Sequence, residues 1–256
     1  MPARPQTQLR CPDESGTMRH EILQLQTADG EMKTHLFSPD RPSARAIVVY
    51  MDVYGIRDEL LGMCRAFAER GFAVYLPNVF YRVGDISFPV PKSPDAPADP
   101  AAVRLNMATT IDMTARDLPA ILQHGAERTP AIEKFGAVGY CMGGRHALNA
   151  LAAHPRYVKS AASIHGGRLV TQEPDSPHLF IASLQGPAYF AFAKDDKSCP
   201  DVHQRIIETE IAHAPAAHSS EHFDAHHGWS FPGRYCYDAT VASRVFDRVV
   251  SLFNAN

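Results

Sequence analysis

The sequence predicts an α/β fold: a mostly parallel central sheet with helices on both faces and an antiparallel hairpin at its N-terminal side. Three features predict it. Short continuous apolar runs rich in β-branched residues mark strands buried on both faces. Segments of helical period separate those runs, the rhythm of strand–helix–strand units. An alternating pair of segments around Asp29-Gly30 precedes them all.

Taken in order, residues 18 to 26 and 31 to 37 alternate apolar with polar positions, and Asp29-Gly30 between them is a hairpin turn signal. Ala46 to Met51 is a continuous apolar run, as a central strand requires. Residues 58 to 70 have helical period and stop at Gly71; Phe72 to Leu76 is the next strand, ended by Pro77. A long helix is expected from about Ala101 to His124. A strand around Ala137-Val138 leads into a helix from Gly143 to Ala153, ended by His154-Pro155. Val158 to Ile164 and Ala188 to Phe192 read as strands, and residues 201 to 213 as a helix. In the last helix, 237 to 254, Val241, Val245, Val249 and Phe253 fall on one stripe. Right-handed crossovers then restrict the topology.

No repeat or linker divides the 256 residues, so one domain over 1–256 is expected, with 1–16 a flexible extension. Residues 77 to 100 carry six prolines and almost no periodicity. A loop this long in a compact domain is usually functional or disordered, and a lid or pocket wall over the sheet's C-terminal edge is the reading preferred to a surface excursion.

The net charge of −3, with no basic stripe, argues against nucleic acid or an anionic membrane as partner. No apolar run approaches the roughly 20 residues a membrane span needs, and the polar N-terminus lacks the apolar core of a signal peptide. Five scattered cysteines, with no Cys-x-x-Cys pair, read as reduced thiols of a cytoplasmic protein. The oligomeric state is left open.

The sharpest chemical signal is Gly139-Tyr140-Cys141-Met142-Gly143-Gly144, after a predicted strand and before a predicted helix. This is the nucleophile-elbow pattern with cysteine in the place of serine. Glycines two places to either side let strand and helix cross closely, and the helix N-terminus favours a thiolate and an oxyanion. The competing reading is a structural cysteine beside turn-forming glycines.

A thiol at an elbow needs a base, and the order along such chains is nucleophile, acid, histidine. His146 and His154 come too early and are expected on a helix surface. His218 and His222 are expected within a strand. His227, before Gly228-Trp229, is the chosen base, with His226 the alternative. The acid is sought in Lys194-Asp195-Asp196-Lys197, after an apolar run; Asp196 is preferred, with Asp195 open, to hold the imidazole tautomer. In Met51-Asp52-Val53-Tyr54-Gly55, the Val53 N–H is expected to join that of Met142 in an oxyanion hole. Asp52 would face the thiol, or alternatively cap the helix that follows. The histidines of 213 to 227 do not stand at recognised metal-ligand spacings with carboxylates or cysteines, so neither metal nor cofactor is expected.

These residues resemble the dienelactone hydrolase family of α/β hydrolases over most of the chain. The likeness is most specific at Gly-Tyr-Cys-Met-Gly-Gly (139 to 144), Asp52-Val53-Tyr54-Gly55, Asp196 with Pro200, and His227-Gly228-Trp229. The resemblance implies a Cys141–Asp196–His227 triad, an oxyanion hole from Val53 and Met142, and hydrolysis of enol-lactones or esters through a thioester. It also implies that Asp52, where the family often has glutamate, and Arg82, matching an arginine that binds the substrate carboxylate, contact substrate. A small ester or lactone, carboxylate-bearing in the family, is the expected partner. A second family arginine has no match at the same spacing; Arg234 lies further on. The alternatives are a broader carboxylesterase or thioesterase, or a redox sensor with Cys199 as the resolving thiol.

Overall fold

The computed structural model describes residues 8–12 and 18–256. Among these residues nine strands form one sheet: β1 (Gln8–Pro12), β2 (Met18–Thr27), β3 (Gly30–Pro39), β4 (Arg45–Tyr50), β5 (Ala73–Pro77), β6 (Lys134–Tyr140), β7 (Val158–Ile164), β8 (Ala188–Lys194) and β9 (Ser219–His226). Their spatial order is β1-β2-β3-β5-β4-β6-β7-β8-β9. The hairpin β2–β3 pairs Thr27 with Gly30 across the expected turn, and β3 joins β5 antiparallel. From β5 to β9 every pairing is parallel.

Among the described residues six α-helices cover the sheet: α1 (Asp58–Glu69), α2 (Pro100–Ala108), α3 (Ile111–Ala126), α4 (Met142–Ala153), α5 (Asp201–His213) and α6 (Ala239–Ala255). The core runs through the central strands, where Ile47, Val48, Val49, Ala137 and Val138 are wholly buried, as expected of strands covered on both sides. The N-terminal extension falls largely outside the described residues, but its segment Gln8–Pro12 pairs with β2.

The single helix expected over 101 to 124 is two helices. Thr109 is extended (φ −84°, ψ 96°), and the Thr110 hydroxyl accepts from the Met113 N–H to start α3 afresh. Helical period alone does not reveal such a break, because the residues on either side of it are all compatible with helix. Within α3, Pro119 has no N–H to give to the Ala115 carbonyl. The imidazole Nε2–H of His154, just past α4, donates to that carbonyl at 2.8 Å. His154 is thus a partner for a helix defect, and His146, expected on a surface, is 1% exposed and bonded to Thr114 at 2.8 Å. His218 lies just before β9, where its Nδ1 accepts from the Ala188 N–H and its ring also bonds the Ile181 carbonyl.

The parallel strands all point their C-terminal ends to one edge, the place where open α/β sheets form crevices. That edge carries Val53 after β4, Cys141 after β6, Asp196 after β8 and His227 after β9. The proline-rich segment after β5 crosses it: Phe88 N–H donates to the Tyr54 carbonyl, and the Lys92 ammonium to the Gly233 carbonyl.

Candidate active site

Cys141 sits between β6 and α4 with φ 54° and ψ −115°, a backbone conformation rare for a residue with a side chain. Its neighbours enforce it. A Cβ at Gly139 would overlap the Gly143 carbonyl, and one at Gly143 would overlap the Tyr50 carbonyl. The Cys141 N–H donates to Ile164 O at 3.1 Å, and Gly167 N–H donates to Cys141 O at 3.0 Å, tying the bend to the end of β7. The half-buried side chain reaches a cavity of about 270 Å³.

His227 leaves the end of β9 through Gly228, whose φ of 95° turns the chain and whose missing Cβ admits the Arg234 guanidinium. The imidazole Nδ1–H donates to Asp196 Oδ2 at 2.8 Å. Asp196 is 3% exposed, and its other oxygen accepts from the Ser198 N–H at 2.7 Å. Asp195, at φ 49°, is exposed, and so is His226. Burial opposes the charged imidazolium of His227. The charge of the Cys141 sulfur, with the charge and hydrogen bond of the Asp196 carboxylate, outweighs it and holds the His227 pKa well above the ordinary imidazole range. The structure therefore brings Cys141, His227 and Asp196 into one constellation.

Val53 and Met142 stand on the two turns flanking this group, Met142 as the first residue of α4. Asp52 is oriented differently from the expectation that it faces the thiol. Its wholly buried carboxylate takes a bidentate pair from Arg57 at 2.7 and 2.8 Å, plus the Tyr54 N–H at 3.0 Å. Nor does it cap α1, whose N-cap is Arg57. Arg57 also bonds Glu59 and lies over the Phe231 ring, 4.5 Å from its centroid.

Arg82 is held elsewhere. It bonds Asp117 of α3 through two nitrogens and Asp29 of the hairpin turn through two, and it does not line the Cys141 cavity. Its segment follows β5, which stands two strands from β6, so roughly 10 Å of sheet separates their ends. Arg234 stands closer, beside the residue after His227, though it does not line that cavity either: 9% exposed, it packs on Gly228 and lies 5.1 Å from the centroid of Tyr54. Cys199, the thiol considered for redox pairing, is 1% exposed, and burial with the Asp196 charge pushes it up to about 12. Such a thiol is a poor resolving nucleophile.

Sequence reasoning passed over His165 and a set of basic residues. His165, 1% exposed with φ 36°, directly follows β7; its ring lies 4.9 Å from that of His227, centroid to centroid. Its Nε2 bonds Ser230 Oγ at 2.7 Å, and burial holds it neutral, well below the ordinary imidazole range, with the charges of His227 and Arg234 adding to the effect. Its neutral ring thus packs beside that of His227. Its place at the end of a parallel strand was the available signal.

A model of the dienelactone hydrolase family matches residues 32–256. The chain belongs to the dienelactone hydrolase family. Membership makes it a hydrolase of the ester-cleaving kind. A carboxymethylenebutenolidase of Rhodococcus opacus is 27% identical over 72% of this chain and 68% of its own length. One of Pseudomonas putida is 24% identical over 90% of this chain and 94% of its own. A solved structure of a candidate dienelactone hydrolase from Klebsiella pneumoniae subsp. pneumoniae superposes with a TM-score of 0.81 at 19% identity, covering 93% of this chain and 99% of the other. At that identity the structural likeness speaks for the fold alone. Among the described residues, no helix is long and apolar enough to cross a membrane.

Proposed function

We propose that this family member opens an enol-lactone or activated ester through a thioester on Cys141, with His227 as the base and Asp196 as its orienting carboxylate. The observation that carries the reading is the imidazole of His227 bonded to Asp196 Oδ2 and near enough to the Cys141 sulfur to feel its charge.

The Cys141 proton passes to His227, and the sulfur attacks the carbonyl carbon. The oxyanion so formed is held by the N–H groups of Val53 and Met142, where one donor is worth about 3 kcal/mol in acyl transfer. Collapse breaks the carbon–oxygen bond, and the leaving oxygen takes the His227 proton. Neutral His227 then removes a proton from water, the hydroxide attacks the thioester, and the carboxylic acid departs as the thiol regains its proton. An enolate leaves readily, which favours enol-lactones and activated esters over alkyl esters. The names of the carboxymethylenebutenolidase relatives support the same substrate class.

Mass spectrometry of the protein quenched during turnover of p-nitrophenyl acetate tests it. An acetyl group on Cys141, and loss of turnover in Cys141→Ala, are expected. Undiminished turnover in that variant removes the mechanism.

A further inference from the structure

The cavity at Cys141 is walled by an unusual collection of charge. Arg145, in the first turn of α4, is only 6% exposed, and among the described residues no carboxylate pairs with it. One of its terminal nitrogens donates to the carbonyls of Asn106 (2.6 Å) and Thr109 (3.0 Å). The other, Nη1, is buried without a partner. Arg168, at φ 55° just past β7, and Lys197, just past Asp196, line the same cavity, and among the described residues neither forms an ion pair. His203 of α5 also faces it, with its Nδ1 buried and unpartnered. The Asn106 amide oxygen there is unpartnered as well. No Asp or Glu lines this cavity; Glu173 and Asp175 belong to an adjoining one, at exposed positions.

A buried guanidinium without a counter-ion is costly, and natural proteins keep one where something supplies the missing charge. Here the Arg168 charge acts on it as well, which raises the cost, exposed Lys197 adds a cation to the same cavity, and exposed Asp175 offsets only part of this. Burial and the Arg168 charge lower the Arg145 pKa to about 10, so it remains charged at neutral pH. An anionic oxygen group accepting from Arg145 Nη1 would complete the guanidinium's hydrogen bonds and neutralise the cluster. The same cavity contains the Cys141 side chain, so a molecule anchored there lies against the nucleophile.

We propose that Arg145, Arg168 and Lys197, with His203, form the subsite that holds an anionic oxygen group of the substrate, a carboxylate or a phosphate, beside Cys141. The substrate is then an anionic ester, gripped from the α4 and β7–β8 side of the thiol rather than by Arg82. This rests on the ester-hydrolase reading for its catalytic meaning, but the binding can be read separately.

The experiment uses the full chain at constant ionic strength, because exposed charges respond to salt. Binding of succinate and of inorganic phosphate to Cys141→Ala is measured by titration calorimetry. Their inhibition of p-nitrophenyl acetate turnover by the unaltered chain is measured alongside. The ratio of kcat/KM for mono-p-nitrophenyl succinate over p-nitrophenyl butyrate gives the preference for charge in a substrate of similar shape. Arg168→Gln and Lys197→Gln repeat each measurement, since Arg145→Gln removes a buried group and risks the fold. Competitive inhibition by at least one anion is expected, with Ki and Kd raised roughly tenfold in each variant, about 1.4 kcal/mol apiece. The preference for the charged ester should fall by a similar factor. Tighter binding of succinate identifies a carboxylate, and of phosphate a phosphate. Absence of binding by both anions, or Kd values unmoved in both variants, overturns the subsite. Anion binding without Cys141-dependent turnover overturns the ester-hydrolase reading and leaves the subsite standing.

Discussion

Arg57 closes a bidentate pair on the wholly buried carboxylate of Asp52, at 2.7 and 2.8 Å, in the turn that follows β4. The pair fixes the segment that carries Val53 and directs the carboxylate's charge to a guanidinium. Burial raises the cost of charge, yet Asp52 and Glu59 keep the Arg57 pKa raised. Arg57→Met therefore strands a buried carboxylate. A loss of about 3–5 kcal/mol in denaturant unfolding is expected; a change under 1 kcal/mol contradicts it.

The Asp196 bond to His227 carries the second prediction. Asp196→Asn removes the charge that helps raise the His227 pKa and upsets the tautomer, so kcat for an activated ester should fall by roughly 10²–10⁴-fold. A histidine raised above its unfolded value stabilises the fold fully below about pH 6.5. That contribution fades as pH rises through the folded value. The variant should lose stability chiefly at lower pH, and its His227 ring signal in NMR should titrate lower than in the unaltered chain.

His35 predicts the opposite slope elsewhere. Burial, then the charges of His20 and Lys33, lower its pKa to about 4, and its Nδ1 bonds the His20 ring at 2.9 Å. A lowered histidine contributes stability above its unfolded value near 6.5 that is lost as pH falls toward about 4. His35→Gln should flatten unfolding free energy against pH across this window, by on the order of 2 kcal/mol between its ends. Identical slopes in the two proteins exclude it.

The fourth concerns a helix remote from the thiol. His154→Ala leaves the Ala115 carbonyl, already deprived of a partner by Pro119, without its donor. Unfolding free energy should drop by about 1–2 kcal/mol while kcat/KM for esters is unchanged. Pro119→Ala in the His154→Ala background should restore part of the loss, because residue 119 regains an N–H.

His165 gives a positioning test. Replacing it with Ala removes the ring 4.9 Å from His227 and opens space beside the base. The kcat should fall by roughly tenfold or more with KM little changed, and His165→Asn, which can still reach Ser230, should recover part of it. Equal activity of the three proteins refutes the positioning role.

The elbow at Cys141, the hairpin at Asp29-Gly30 and the succession of buried strands were legible in the sequence. Each rests on local chemistry: glycine where side chains collide, a turn residue where φ must be positive, apolar runs where both faces are covered. Even the residues of the Cys141, Asp196 and His227 group could be named, since their places at strand ends follow from strand order. What local pattern could not decide was which charge meets which. Asp52 has Arg57 five residues on, but only the fold turns the two together; Arg82 finds Asp117 35 positions away. His146 looked exposed by helical position and is buried because α3 packs over it. Arg145, Arg168 and Lys197 lie on three separate elements and become one cluster only when strands β6, β7 and β8 align side by side. Turns and strands are set by interactions within a few residues, whereas ion pairing and burial depend on contacts that exist only once the chain has closed on itself.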